Sequence, residues 1–509
     1  MKGLGLVSAG AVGAMAAAPA FKDLDEVLSA GAGTRKRAWW IKDVDEPTVD
    51  MDWSIIQRVH GGHSTQSAPV VARYVGKDKY NAMTTPTSDK PATRLLNNEP
   101  GYRLRDQALS AANGGLMSNM SFTADPAKLG AVGGVIPTCE GDKFGRQKVA
   151  TPESRGVPKW TGTPEEATAM LRAAMVFFGA MDFGTEEINK KLIGLSGDNT
   201  TMADYPNIDK ATTMTIKPIE FANQPKFSWD PAKNITYIPD NIHLSTIGYL
   251  IPHDLELNRV RPTTLGSTAQ TRYRMRRETT TCTQDFLYGL GYQSMADVPY
   301  RAMPSGATGA LTGLTENSRH SIMTISPTYG AFVGIFDMLT DLELAPTKPI
   351  DAGIWRFCQS CGLCADKCPS GSITKKGEAE PSYEVRVSKT TPVDPTLPGM
   401  RAGGGEWHKL GRKTYWTDMP TCQLYVRSVA VCNRCWGNCV FSGANGALVH
   451  EVVKATAGTT GIFDSFFAGM HDKFGYNLKT GESIEEWWDM SRPAYGFNSA
   501  LFATHTSYG

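Results

Sequence analysis

The stretch Cys358-Gln359-Ser360-Cys361-Gly362-Leu363-Cys364-Ala365-Asp366-Lys367-Cys368-Pro369 decides what this chain is built to hold. Its pattern is C-x2-C-x2-C-x3-C-P. Short loops between the first three thiolates turn their sulfurs to one side, so that they embrace one face of an iron–sulfur cubane. Where two such runs occur, the fourth cysteine, held by the following proline, is usually donated to the other cluster. A second group follows at Cys422, Cys432, Cys435 and Cys439, or C-x9-C-x2-C-x3-C, with Val440 where the proline would stand. Exchanging the fourth ligands gives cluster one Cys358, Cys361, Cys364 and Cys439. Cluster two then takes Cys368, Cys422, Cys432 and Cys435, and both are expected to be [4Fe-4S]. The long first gap leaves open another ligand in place of Cys422, or a three-iron cluster. Disulfides are a weak alternative, because cysteines two residues apart rarely bridge. Paired zinc sites suit C-x2-C, but the three-cysteine run ending in Cys-Pro favours iron–sulfur. Eight of the ten cysteines are thereby used, and Cys139 and Cys282 are expected to be buried free thiols.

Ahead of the cysteines lies a Pro-rich joint, Ala345-Pro346-Thr347-Lys348-Pro349, from which a domain over 346–445 is expected. Residues 161–345 mix helical patterns with short β-like runs such as Ile235-Thr236-Tyr237-Ile238, predicting an α/β domain. Its first helix is marked by Thr163-Pro164-Glu165-Glu166: a capping hydroxyl, a proline suited to the first turn, and two acids at the positive end of the dipole. Residues 21–160 are polar and loop-rich, and 446–509 form a C-terminal extension. Residues 1–20 are expected to be the remnant of a secretory signal, ending in the small-residue run Ala16-Ala17-Ala18-Pro19-Ala20. Only Lys2 supplies positive charge there, and no twin-arginine pair precedes it. Trp39, Trp40 and Trp53 are candidates for an apolar substrate pocket or for ordinary packing.

Bulk composition bounds the function. With 509 residues, two or three domains are expected; 41% hydrophobic and 20% charged residues describe a globular protein rather than a disordered one. A net charge of +1 with no dominant Lys/Arg block argues against a nucleic-acid partner.

Around the double cysteine pattern the chain resembles the corrinoid iron–sulfur reductive dehalogenases of organohalide-respiring bacteria. The resemblance runs in order through Pro158-Lys159-Trp160-Thr161-Gly162-Thr163, Phe286-Leu287-Tyr288-Gly289-Leu290-Gly291-Tyr292 and Gly313-Leu314-Thr315-Glu316-Asn317-Ser318-Arg319. It continues through Thr340-Asp341-Leu342, the Pro-rich joint, Val449-His450-Glu451-Val452-Val453-Lys454 and the Trp487-Trp488 pair. It implies an α+β fold with a nitroreductase-like core over 161–345 holding a base-off cobamide, beside a ferredoxin-like domain with two [4Fe-4S] clusters. The implied activity is reductive removal of halide from an organohalide substrate, a chlorinated alkene or arene. Export to the outer face of the cytoplasmic membrane, a small integral membrane anchor subunit and an upstream electron-donating respiratory complex are implied as well. The family's proton donor is a tyrosine at the place of Tyr273, thirteen residues ahead of Phe286, with Arg272, Arg274, Arg276 and Arg277 around it. Nearby cations favour the phenolate and so help a phenol to donate. One departure stands out: Ala331 to Leu339 holds no basic residue and carries Asp337, which leaves Arg319 as a second catalytic candidate. Two rival functions remain. Epoxyqueuosine reductases, related corrinoid enzymes acting on tRNA, use an acidic residue where Tyr273 stands. A non-catalytic iron–sulfur electron carrier leaves the residues before Cys358 unexplained.

Overall fold

Thr163 opens the first long helix as its chemistry requires. In the computed structural model, helix α1 (Pro164–Phe177) carries a complete capping box, with Glu166 N–H donating to Thr163 Oγ1 at 3.2 Å and Thr163 N–H to Glu166 Oε2 at 2.8 Å. The structure describes residues 37–56, 58, 82, 91–119, 150–194, 196–197, 217–230, 232–233, 235–267, 271–296, 303–321, 323–383, 411–429, 432–442, 448–473 and 478–489. The expected signal remnant 1–20 and Cys139 lie outside them.

The main sheet is antiparallel and four-stranded. In chain order its strands are β1 (Asp182–Glu187), β2 (Ser245–Pro252), β3 (Ser294–Ala296) and β4 (Val333–Thr340), arranged β1-β2-β4-β3. Helices α1 and α2 (Thr271–Leu290) cover one face. There Leu171, Met175 and Leu287 pack on Phe183, Ile247, Tyr249, Phe336 and Met338. Alternation along β2 explains which residues face them: Ile247, Tyr249 and Ile251 are two apart. Each such side chain stabilises the fold by about 1.5–3 kcal/mol when fully buried. The opposite face receives α3 (Ser305–Leu311), and two glycines permit its close approach. A Cβ at Gly184 would lie 2.2 Å from the Thr312 carbonyl oxygen, and one at Gly248 would lie 2.6 Å from Thr312 Oγ1. Strand β4 is covered on both faces, so all eight of its residues are buried, including Asp337 opposite Gly248. A second sheet, ordered Ser196–Gly197, Lys217–Ala222, Ile235–Pro239, Ser228–Asp230, contains the expected strand at Ile235 and one parallel pairing.

Past the joint come α4 (Ile354–Cys361), α5 (Leu363–Asp366), α6 (Met419–Ser428), α7 (Arg434–Gly437), α8 (Leu448–Thr459) and α9 (Asp464–Lys473). The expected segment boundaries do not insulate these parts. Lys42–Asp43 pairs antiparallel with Ile350–Asp351, tying the N-terminal region to the start of the cysteine segment. That region is also less loop-like than its composition suggests, since it holds helices Pro91–Leu96 and Leu104–Asn119. Its Asp106 accepts from Trp488 Nε1 at 2.9 Å, and Gly101 N–H donates to Glu485 at 2.6 Å. The C-terminal α8 and α9 pack on α4. Among the described residues no helix is long and apolar enough to cross a membrane.

The three N-terminal tryptophans do not share a site. Trp40 is buried in the core beneath α4, Trp39 is 70% exposed, and Trp53 is half-buried. Cys282, expected to be buried, is only partly buried on α2.

Candidate metal centres

Helix α4 carries Cys358 and Cys361, and both of its ends are fixed by one short segment upstream. Gly353 precedes it at φ +65°, where a Cβ would meet the Gly458 carbonyl oxygen at 2.2 Å, so only glycine fits. The first N–H groups of a helix have no internal partner. Here the Glu316 carboxylate accepts from Ile354 N–H at 3.0 Å, Trp355 N–H at 2.9 Å and Ala352 N–H at 2.9 Å, with Thr48 Oγ1 adding a fourth bond at 2.8 Å. Burial of Glu316 outweighs these bonds and pushes its carboxyl up to about 6. Three residues later Arg319 serves the other end. Its guanidinium donates to the carbonyls of Cys358 at 2.8 Å, Gln359 at 3.0 Å and Thr374 at 3.1 Å, and lies 3.8 Å from the Tyr415 ring centroid. A residue meant to meet a leaving halide would need those donors free. Arg319, expected as a catalytic candidate, is instead engaged in holding the cysteine helix.

The eight grouped cysteines form no disulfide. Burial raises the thiol pKa of Cys358, Cys361 and Cys364, and each also feels Cys439. Burial likewise raises Cys422, Cys432 and Cys435, and each of these feels Cys368. For Cys361 and Cys422 the value reaches about 12. Neutral thiols packed this way are costly to ionise unless a metal takes the charge. Cys439 thus stands near Cys358, Cys361 and Cys364, and Cys368 near Cys422, Cys432 and Cys435. Cys364 also feels Cys435, so the two quartets adjoin where α5 packs on α7. Backbone N–H groups aim at the sulfurs: Leu363 at Cys361, Arg434 at Cys432, Trp436 at Cys435, and Phe441 and Ser442 at Cys439. Among the described residues no set of three or more His, Cys, Asp or Glu side chains gathers in the manner of a single-ion site.

Cys422 is set by α6, whose N-terminus is capped by Asp418 accepting from Thr421 N–H at 3.0 Å. Just past Cys439, Ser442 Oγ accepts from Ala331 N–H at 3.0 Å, two residues before β4, and Phe441 stands edge-on to Phe357 of α4 at 5.4 Å. Lys454, from the fragment Val449 to Lys454, is buried, donates to the Thr328 carbonyl at 2.7 Å and lies near Cys439.

Position 273 lies in the first turn of α2; the Tyr273 side chain falls outside the described residues. Arg276 and Arg277, one turn further along α2, are buried, and Arg276 stacks 4.8 Å from the Phe336 ring centroid. Two contributors escaped the sequence reading. Glu316 and Lys454 sit inside fragments that carried the family resemblance but had no assigned role. Opposite charges three residues apart at Glu316 and Arg319 were the available signal.

A family profile described as the reductive dehalogenase subunit matches residues 36–344. The chain is 29% identical to the trichloroethene reductive dehalogenase of Dehalococcoides mccartyi over 99% of its own length and 98% of that protein. It is 28% identical to the chloroethene reductive dehalogenase of Dehalococcoides mccartyi strain VS over 98% and 97% of the two chains. Among solved structures, a catabolic reductive dehalogenase in complex with 3-bromo-4-hydroxybenzoic acid superposes with TM-score 0.53 at 16% identity over 85% of this chain. This chain spans about half of that protein, 48%. The fold is thus a mixed α and β one shared with these enzymes, and the chain belongs to the reductive dehalogenase family of oxidoreductases.

Proposed function

We propose that this chain is the catalytic subunit of a reductive dehalogenase that replaces halogen by hydrogen on a chlorinated alkene or arene. The net reaction takes two electrons and one proton, and releases halide. The observation that carries the proposal is the two groups of buried cysteines, free of disulfides, inside a chain of this family. The donor set fits two [4Fe-4S] clusters: cluster one on Cys358, Cys361, Cys364 and Cys439, and cluster two on Cys368, Cys422, Cys432 and Cys435. Buried thiols, no disulfides and N–H groups aimed at sulfur are the surroundings that such clusters need. A cobamide is proposed as the third cofactor on family membership. A structural neighbour that superposes with TM-score 0.54 is a reductive dehalogenase whose structure suggests a mechanism for B12-dependent dehalogenation. No side chain of this chain is assigned to the cobamide. When bound, the clusters supply single electrons and the cobamide supplies low-valent cobalt for carbon–halogen cleavage.

The chain's own residues do the rest. Glu316 and Arg319 hold the first cysteine helix at both ends. The contact of α5 on α7 keeps the two quartets adjacent, which would place the clusters they hold within reach of each other for electron exchange. Tyr273 is proposed to hold, at its phenol oxygen, the proton delivered to the dehalogenated carbon. Arg276 and Arg277, one turn along, favour the phenolate left behind. A nitroreductase-like core over 161–345, export to the outer face of the cytoplasmic membrane and a small membrane anchor subunit complete the proposal, supported by the family resemblance.

The test is metal analysis and turnover on one reconstituted sample. Two four-iron clusters and one cobamide give about eight irons and one cobalt per chain. Halide release from trichloroethene or a chlorinated arene must accompany them. Zinc, about four irons, or full cofactors without halide release from any member of an organohalide panel would reject the proposal.

A further inference from the structure

Arg319 does more than its hydrogen bonds require. It is 2% exposed, and among the described residues no carboxylate forms a salt bridge with it. Its partners are three neutral carbonyls and Tyr415, through both its ring face and its hydroxyl. Among the described residues a buried positive charge thus has no ion-pair partner, which is expensive unless something nearby uses it. What lies nearby is the first cysteine quartet. The guanidinium binds the Cys358 carbonyl, the Arg319 main-chain N–H points at the Cys358 sulfur, and its charge reaches Cys361 and Cys364. Two of the four proposed ligands of cluster one, Cys361 and Cys364, therefore sit in its field, and a third, Cys358, is held by its hydrogen bonds.

We propose that Arg319 sets the reduction potential of cluster one, its buried charge making that cluster easier to reduce, while its donors position the helix that carries Cys358 and Cys361. The proposal rests on the cluster assignment above. The physical reason is direct: reduction adds one negative charge to the cluster, and a fixed positive charge in a low-dielectric interior stabilises that added charge. Other charges stand near the same quartet, with Lys454 beside Cys439 and Asp464 beside Cys361. Neither bonds to the Arg319 guanidinium, whose acceptors are the three carbonyls and the Tyr415 hydroxyl, so substituting Arg319 leaves both in place. The three carbonyls alone would be served by any residue donating hydrogen bonds. Charge is what separates the two roles.

The experiment compares the full-length holoprotein with Arg319→Lys and Arg319→Gln, measuring iron per chain and then following each cluster's reduction by EPR in a redox titration. Wild-type protein without two four-iron signals overturns the cluster assignment itself, and this proposal with it, before any variant is compared. Given those signals, Arg319→Gln should shift the oxidised-to-reduced ratio of one cluster roughly tenfold toward oxidised, about 59 mV lower for a one-electron couple, leaving the other cluster near its native value. Arg319→Lys keeps the charge and should keep the native midpoint. An unchanged midpoint in iron-replete Arg319→Gln overturns the proposal and leaves only the capping role. If Arg319→Gln sheds iron, Arg319→Lys decides. Full iron with a native midpoint supports the proposal, and loss of iron or an equal fall in potential overturns it.

Discussion

The two cysteine groups solve one chemical problem with different means. The first sits on α4, a helix whose N-terminal N–H groups end on Glu316 and whose C-terminal carbonyls end on Arg319. Both charges come from the segment that follows α3, so the ferredoxin-like pattern is anchored to the dehalogenase core. Negative charge at the N-terminus and positive charge at the C-terminus also match the helix dipole. The second group is spread over α6 and α7, with Cys422 on one and Cys435 on the other, and its helix is held by a local cap, Asp418. The helix of the tightly spaced motif thus has charged partners distant in sequence at both ends, whereas the helix that carries Cys422 has a charged cap adjacent in sequence.

The most severe way to break this comparison is to exchange the crossed ligands. Cys439→Ser should remove cluster one, although Cys439 belongs to the second group. Cys368→Ser should remove cluster two. Each variant is expected to lose about four of about eight irons and all turnover. EPR of the remaining cluster identifies which one survived, and uncrossed losses would refute the grouping. Next in size is Tyr273→Phe, which tests the chemistry and leaves both cysteine groups alone. Deleting only the phenol should lower turnover by roughly 10²–10⁴-fold with iron and cobalt unchanged. Near-normal halide release from a fully loaded variant would move the proton source elsewhere.

How much of this was legible in the sequence follows from the range of the interactions. The capping box at Thr163 and the strand at Ile235 depend on residues within one turn or one pleat, and both are found as expected. The two cysteine groups were legible because the spacing of thiolates is itself the signal, and the crossed ligand exchange is proposed from that spacing. The role of Arg319 was not. Its acceptors are backbone carbonyls at Cys358, Gln359 and Thr374, and carbonyls have no sequence identity to read. The same holds for Glu316, whose donors are the amides of residues 352, 354 and 355. Trp39 and Trp40 show the converse: adjacent and identical, they end 70% and 4% exposed because only one meets the core beneath α4.

Glu316→Gln sharpens the contrast through stability. An amide oxygen accepts fewer bonds than a carboxylate, so at least one buried donor is left unpaired, at roughly 1–3 kcal/mol. The pH dependence is a second signature. The Glu316 carboxyl moves from 4.5 to about 6 on folding, so the folded state binds the extra proton between those values. Stability from this group is present below pH 4.5 and is lost as pH rises to about 6, by roughly 2 kcal/mol. Urea midpoints measured at both ends of that window should differ in the native chain and lose this component in Glu316→Gln. An equal slope in both proteins would show that other groups carry it.

The smallest expected effect belongs to the second group, and it checks that this group is held locally. Asp418 is buried and its carboxylate accepts from Thr421 N–H at the start of α6. Replacing an N-cap aspartate by alanine costs about 1 kcal/mol, within roughly 0.5–2. The Asp418 backbone carbonyl still accepts from Cys422 N–H at 3.0 Å, so position 422 keeps its main-chain anchor. Asp418 also opposes ionisation of the Cys422 thiol, so its removal costs fold stability while easing thiolate formation at that ligand. Asp418→Ala should therefore lower the urea midpoint slightly, retain about eight irons, and raise rather than lower the midpoint potential of cluster two. Cluster one should stay where it was. Loss of cluster one in this variant would mean that the two groups are mechanically coupled, and that the division between distant and local support is wrong.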